Sequence, residues 1–165
     1  MCIRDRGMAG GQAIDLASVG LQLSEAQLRE MHRLKTGALL HASVLMGAAC
    51  KEGVDAQAWQ ALSDYGQALG VAFQVVDDIL DVVADSATLG KTAGKDAAND
   101  KPTYVSLLGL DQARAHADEL CALAHAALAG VVDPRLARFL HLVEGFVHQQ
   151  HGTARRAGAV TSCLK

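Results

Sequence analysis

Residues Phe73 to Asp81 read FQVVDDILD, one amide and three carboxylates set inside a run of Phe, Val, Ile and Leu. If the stretch is helical, Gln74, Asp77, Asp78 and Asp81 stand at i, i+3, i+4 and i+7 and share one face. The remaining positions, Val75, Val76, Ile79, Leu80, Val82 and Val83, are apolar. A helix apolar on nearly every other side is a buried one, so the acidic stripe is expected to face a polar cavity or a bound cation. A bare D-D-x-x-D leaves two readings open. Hard carboxylate oxygens select magnesium, manganese or calcium over metals that prefer softer ligands. Equally, the acids form a solvated face or buried ion pairs, since buried charges are commonly paired.

Upstream, no breaker interrupts the pattern back to Asp55, which caps a helix running to about Ala84. Lys51 to Val54, with Gly53, reads as the turn before it. Further back, Ser24 followed by Gln27 has the spacing of a capping box, and Leu28, Met31, Leu34 and Ala38 then recur at helical spacing toward Cys50. A bend is expected near Gly37. Downstream, Gly90, Gly94 and Asn99 break the periodicity between Asp85 and Pro102, so a long loop is expected there. Asp111 is placed as the cap of a helix through Leu128, and Asp133-Pro134 as the start of another through about Gln150. No internal repeat and no useful β alternation occurs, so the expected fold is all-α.

Composition agrees with that class. In 165 residues half are hydrophobic but only 4% aromatic, so the apolar content rests on Ala, Leu and Val, which suit close helix packing. The formal charge of -3 gives no electrostatic footprint for nucleic acid. The apolar run GALLHASVLMGAAC is shorter than a span needs and is interrupted by His41 and Ser43, so no integral membrane segment is expected. With no apolar signal core behind the basic start, a cytoplasmic location is the expectation. Cys2, Cys50, Cys121 and Cys163 are scattered without a C-x-x-C pair and are expected to be reduced thiols.

The loop after the acids carries Lys91, Lys95 and Lys101. Magnesium held by one or two carboxylates usually completes its shell with substrate phosphate, so lysines next to such acids suit a polyphosphate ligand. Gly90-Lys91-Thr92 is not a P-loop, because Asp85 stands where the first glycine is required and no strand precedes it. His148 and His151 have helical metal-ligand spacing but no evident third ligand, and read as surface histidines. Lys35-Thr36, taken alone, reads as a solvated lysine beside a weakly helix-favouring threonine.

Five stretches in order, GGQAIDL, MHRLKTGALL, AFQVVDDILDVVADSATLGK, GKDAANDKPTY and SLLGL, resemble the C-terminal half of the trans-isoprenyl diphosphate synthases, the polyprenyl synthetase family. The wording is most similar to bacterial farnesyl and geranylgeranyl diphosphate synthases. The resemblance implies an isoprenoid-synthase-type helical bundle, present as an incomplete C-terminal half, that elongates an allylic diphosphate with isopentenyl diphosphate. It implies Asp77, Asp78 and Asp81 as ligands of magnesium, with manganese as a substitute. It implies Lys35, Lys91 and Lys101 as diphosphate-binding residues, and Thr36 and Gln74 as polar groups facing the allylic cation.

The family's first aspartate-rich motif, with its arginines, is not found in the chain, so the chain alone is expected to be inactive. A non-catalytic subunit of a heteromeric prenyl synthase is the alternative, and a calcium-binding helical module a third reading without a D-x-D-x-D-G loop to support it. Residues 1–6 are expected to be a non-native leader, 7–151 the synthase portion and 152–165 an irregular tail. A homodimer is the assembly implied for a full-length relative.

Overall fold

A computed structural model describes residues 6–83 and 101–130. Among them the secondary structure is entirely helical: α1 (Met8–Ala17), α2 (Glu25–His32), a π-helical turn (Arg33–Gly37), α3 (Ala38–Ala49), α4 (Ala56–Val83), α5 (Tyr104–Leu108) and α6 (Leu110–Leu128). The all-α expectation holds. Lys91, Lys95, His148, His151 and the helix expected after Asp133 lie outside the described residues.

The caps explain where the elements begin. Ser24 Oγ accepts from the Gln27 amide, and the Gln27 side chain accepts from the Ser24 amide, the reciprocal pair read from the sequence. Asp55 Oδ1 accepts from the Ala58 amide at 2.7 Å and starts α4, which at 28 residues is about 42 Å long. The bend expected near Gly37 is a π-helical turn that widens the helix at Arg33–Gly37, so α2 and α3 are two elements. Asp111 does not cap α6. Gly109 holds the N-cap with φ +82°, and Asp111 sits in the first turn instead, 3.6 Å from Arg114. The loop expected between Asp85 and Pro102 lies almost wholly outside the described residues; a short helix, α5, begins after Thr103, capped reciprocally by Thr103 and Ser106.

The long helix α4 is the spine. Val75, Val76, Ile79 and Leu80 near its C-terminal end pack with Ala113 and Ala117 of α6 and with Leu28, Met31 and Tyr104. Near its other end, Leu62 and Tyr65 pack with Val44 and Ala48 of α3 and Ala124 of α6. Early α6 therefore meets late α4 and late α6 meets early α4, so the two are antiparallel, as are α3 and α4. Small residues let these helices approach. A Cβ on Gly70 would lie 2.6 Å from the Gly37 Cα, so α4 crosses the end of the π turn backbone against backbone. Helix α1 packs on the same turn from the other side, where a Cβ on Gly11 would lie 2.5 Å from the Lys35 Cα.

Among the described residues no helix is long and apolar enough to cross a membrane. Cys50 is a free, exposed thiol, whereas Cys121 is disulfide-bonded, so the expectation of reduced thiols fails at Cys121. Spacing within a sequence cannot show which distant cysteines the fold brings together.

Candidate functional site

The π turn sets the site in place because it carries both Lys35 and Thr36 between two backbone contacts, with α1 on one side and α4 on the other. Turns of this type are frequent at functional positions, since an extra residue re-aims side chains that a regular helix would place elsewhere. From this turn two hydrogen-bonded networks extend.

The first converges on Asp15 of α1. Lys35 Nζ donates to Asp15 Oδ2 at 2.9 Å and Lys101 Nζ donates to the same oxygen at 3.1 Å. The carboxylate side chain is 5% exposed and the two lysine side chains 25% and 24%, so a nearly buried acid holds two cations at the edge of solvent. Burial alone pushes the Asp15 carboxyl up, but the hydrogen bonds and charges of Lys35 and Lys101 together outweigh it and hold the group below the usual carboxylate value.

The second network runs through the acidic stripe. Thr36 Oγ1 donates to Gln74 Oε1 at 3.1 Å, and Gln74 Nε2 donates to Asp78 Oδ1 at 3.1 Å. The other Asp78 oxygen accepts from the Tyr104 backbone amide at 2.8 Å. Asp78 is buried and held from two elements at once, while Asp77 is half-buried and Asp81 buried, four residues apart on the same helix. The networks meet twice along the chain: Lys35 adjoins Thr36, and Lys101 lies three residues before Tyr104.

Tyr104 is fully enclosed, its ring 5.4 Å from that of His32 and 5.5 Å from that of His116. Burial pushes its phenol up to about 12. His32 is buried too, and its Nδ1 has no hydrogen-bond partner among the described residues. Burial first, then the charge of Lys35, lower its pKa to about 4 against an opposing pull from Asp15, so the imidazole is neutral near pH 7.

Of the residues singled out in the sequence, the fold links Thr36 to Gln74 and Asp78 and brings Lys35 to Lys101. Lys91 lies outside the described residues. Asp15 and Tyr104 were missed as site residues. Asp15 stood in plain view within GGQAIDL, but a single acid carries no spacing signal, and its partners are 20 and 86 residues away. Among the described residues no group of three or more His, Cys, Asp or Glu side chains is arranged to hold a metal ion by itself. Asp77 and Asp81 carry hard oxygens on one face of α4, the donor type that magnesium takes together with phosphate.

An all-α domain with paired lysines and an acidic helix face is the class that the fold and geometry define. The model of the polyprenyl synthetase family matches residues 5–130. A probable farnesyl diphosphate synthase of Bradyrhizobium diazoefficiens is 50% identical over 141 residues, covering 84% of this chain and 42% of that protein. The farnesyl diphosphate synthase of Escherichia coli is 45% identical over 114 residues, covering 69% of the chain and 38% of its own length. Among solved structures, a Helicobacter pylori geranyltransferase complexed with magnesium and isoprenyl diphosphate superposes with a TM-score of 0.76 at 31% identity, over 89% of this chain and 50% of that one. The chain belongs to the polyprenyl synthetase family. It spans less than half the length of these two relatives.

Proposed function

We propose that the chain is the C-terminal portion of a short-chain prenyl diphosphate synthase, which joins an allylic diphosphate to isopentenyl diphosphate in the manner of a farnesyl or geranylgeranyl diphosphate synthase. One observation carries the reading. The lysine pair on Asp15 and the Thr36–Gln74–Asp78 network are coupled at two points, so anion-binding cations and acidic donors are held as one unit.

In this reading Lys35, Lys91 and Lys101 bind the diphosphate of the allylic substrate, and Asp77, Asp78 and Asp81 form the metal-binding face. Asp77 and Asp81 would be the direct ligands, with Asp78 held in place by Gln74 and Tyr104. Magnesium, with manganese as a substitute, supplies charge neutralisation of the leaving diphosphate when bound. The lysines add to that stabilisation as the allylic carbon–oxygen bond breaks and its electron pair leaves with the diphosphate. Thr36 and Gln74 direct hydroxyl and carbonyl dipoles toward the allylic carbon as positive charge develops. The isopentenyl double bond then attacks that carbon, and a proton lost from the adduct passes to the released diphosphate. Apolar residues of α4 exclude water that would otherwise trap the cation.

The same reading makes this sequence inactive alone, because it contains no second D-D-x-x-D to complete the metal site. It also makes the complete enzyme a cytoplasmic homodimer. A non-catalytic subunit is disfavoured by the retention of the lysines and acids together. The test is a chimera in which the N-terminal half of the Bradyrhizobium relative is joined upstream of Met8. With magnesium, dimethylallyl diphosphate and radiolabelled isopentenyl diphosphate, the chimera should form labelled prenyl diphosphate and the unmodified chain none. A compact, helical chimera that forms no product would refute the catalytic reading, and product from the chain alone would refute the need for an added N-terminal half.

A further inference from the structure

The lysine pair needs an explanation beyond its charge. Two part-exposed lysines could each extend into solvent, where a long, flexible ammonium is well hydrated and like charges are screened. Instead both reach one oxygen of a carboxylate that is itself nearly buried, from elements 20 and 86 residues away. With both Nζ atoms at 2.9 and 3.1 Å from that oxygen, they cannot stand more than about 6 Å apart. Such closeness is unfavourable for two ammonium groups without a shared counter-charge. The carboxylate rides on α1, whose Gly11 backbone lies against Lys35 itself, so its position is tied to the backbone that carries one of the two lysines.

We propose that Asp15 is a positioning residue that fixes the spacing of Lys35 and Lys101, so that two phosphoryl groups sharing a bridging oxygen are recognised in preference to separate phosphates. The proposal rests on the diphosphate-binding reading above. Asp15 does not touch the ligand; it acts through the two ammonium groups, and preorganising them removes an ordering cost that binding would otherwise carry.

Charge and geometry predict opposite signs, which makes the proposal testable on the chain as it stands. Affinities for inorganic diphosphate and for orthophosphate, each with magnesium, are measured by calorimetry for the wild type and Asp15→Asn. Loss of a negative charge alone would strengthen both anions, the more highly charged diphosphate more, and would hold or widen the preference. Loss of spacing should narrow the preference for diphosphate about tenfold, a difference of roughly 1.4 kcal/mol. Nitrogen-15 NMR of the lysine ammonium groups should show two protected signals in the wild type and neither in the variant, with circular dichroism unchanged.

If Asp15→Asn does not fold, Asp15→Glu retains the charge but shifts the shared oxygen by one methylene, and it too should narrow the preference. A folded variant of either kind with an undiminished preference overturns the positioning role while leaving the diphosphate site intact. A wild type that shows no preference for diphosphate overturns the site and the positioning role together.

Discussion

Replacing Gly11 with alanine tests whether the contact between α1 and the π turn builds the lysine site. A Cβ at this position would lie 2.5 Å from the Lys35 Cα and 2.7 Å from the Leu34 carbonyl carbon, and nearer still to the Lys35 nitrogen. Carbon atoms in contact prefer about 3.5–4.0 Å, so α1 and the turn must separate by roughly 1 Å. The obstructing atoms are backbone, which cannot rotate aside as a side chain would. Overpacking of this kind costs about 1–3 kcal/mol, whereas glycine to alanine in a helix returns up to about 1 kcal/mol. The net expectation is a destabilisation of up to about 3 kcal/mol, within what a domain of this size survives.

The site should suffer more than the fold. A shift of about 1 Å carried rigidly by α1 would stretch the 2.9 Å bond between Lys35 and Asp15 beyond hydrogen-bonding range. Urea denaturation gives the stability change, and the lysine ammonium spectrum reports the ion pair. Ala13→Gly, at an exposed position of the same helix, should cost up to about 1 kcal/mol and leave the ammonium signals in place. A Gly11→Ala protein that is more stable than wild type, with the Lys35 signal unchanged, would show that the close approach does not exist in solution.

Stability should fall with acid in a window set by His32. Its folded pKa of about 4 lies below the ordinary 6.5, so the contribution is complete above pH 6.5 and is lost as pH falls toward 4, by on the order of 3 kcal/mol. Denaturation series across that range should flatten in His32→Gln. A further loss below about pH 4, from protonation of Asp15, should persist in that variant. Binding of magnesium with diphosphate should weaken at least tenfold in Asp77→Ala and in Asp81→Ala, about 1.4 kcal/mol or more each, and an unchanged calorimetric isotherm would remove the acid from the site. In the active chimera, Lys35→Ala and Lys101→Ala should lower the specificity constant for the allylic diphosphate by tenfold or more and that for isopentenyl diphosphate less, and equal losses would contradict their assignment.

Much of the architecture was legible because its signals are local. Ser24 with Gln27 and Asp55 ahead of an unbroken periodic run each announce a helix start within four residues, and both caps form as read. The shared face of Gln74 and Asp78 follows from helical period alone, and their hydrogen bond bears it out. Where reading failed, the cause was a competing local signal or a distant partner. Asp111 looked like a cap, but Gly109, with its left-handed backbone, took the position two residues earlier. The serine at the third position of α5 closes a capping box normally sought with Glu or Gln. Asp15 was invisible as a site residue because its meaning lies in two lysines elsewhere in the chain.

At Gly37 and Gly70 the π turn and the spine meet without side chains between them. Thr36 and Gln74, which bond across that junction, are one residue and four residues from it. Their backbone separation is thus set by the skeleton, with no apolar filler between to trim. Substitutions along the aliphatic flanks of α3, α4 and α6 could accumulate and drift, reshaping the apolar core, while the Thr36–Gln74 junction kept its dimensions. A protein built this way can repack its apolar core without disturbing the junction between turn and spine.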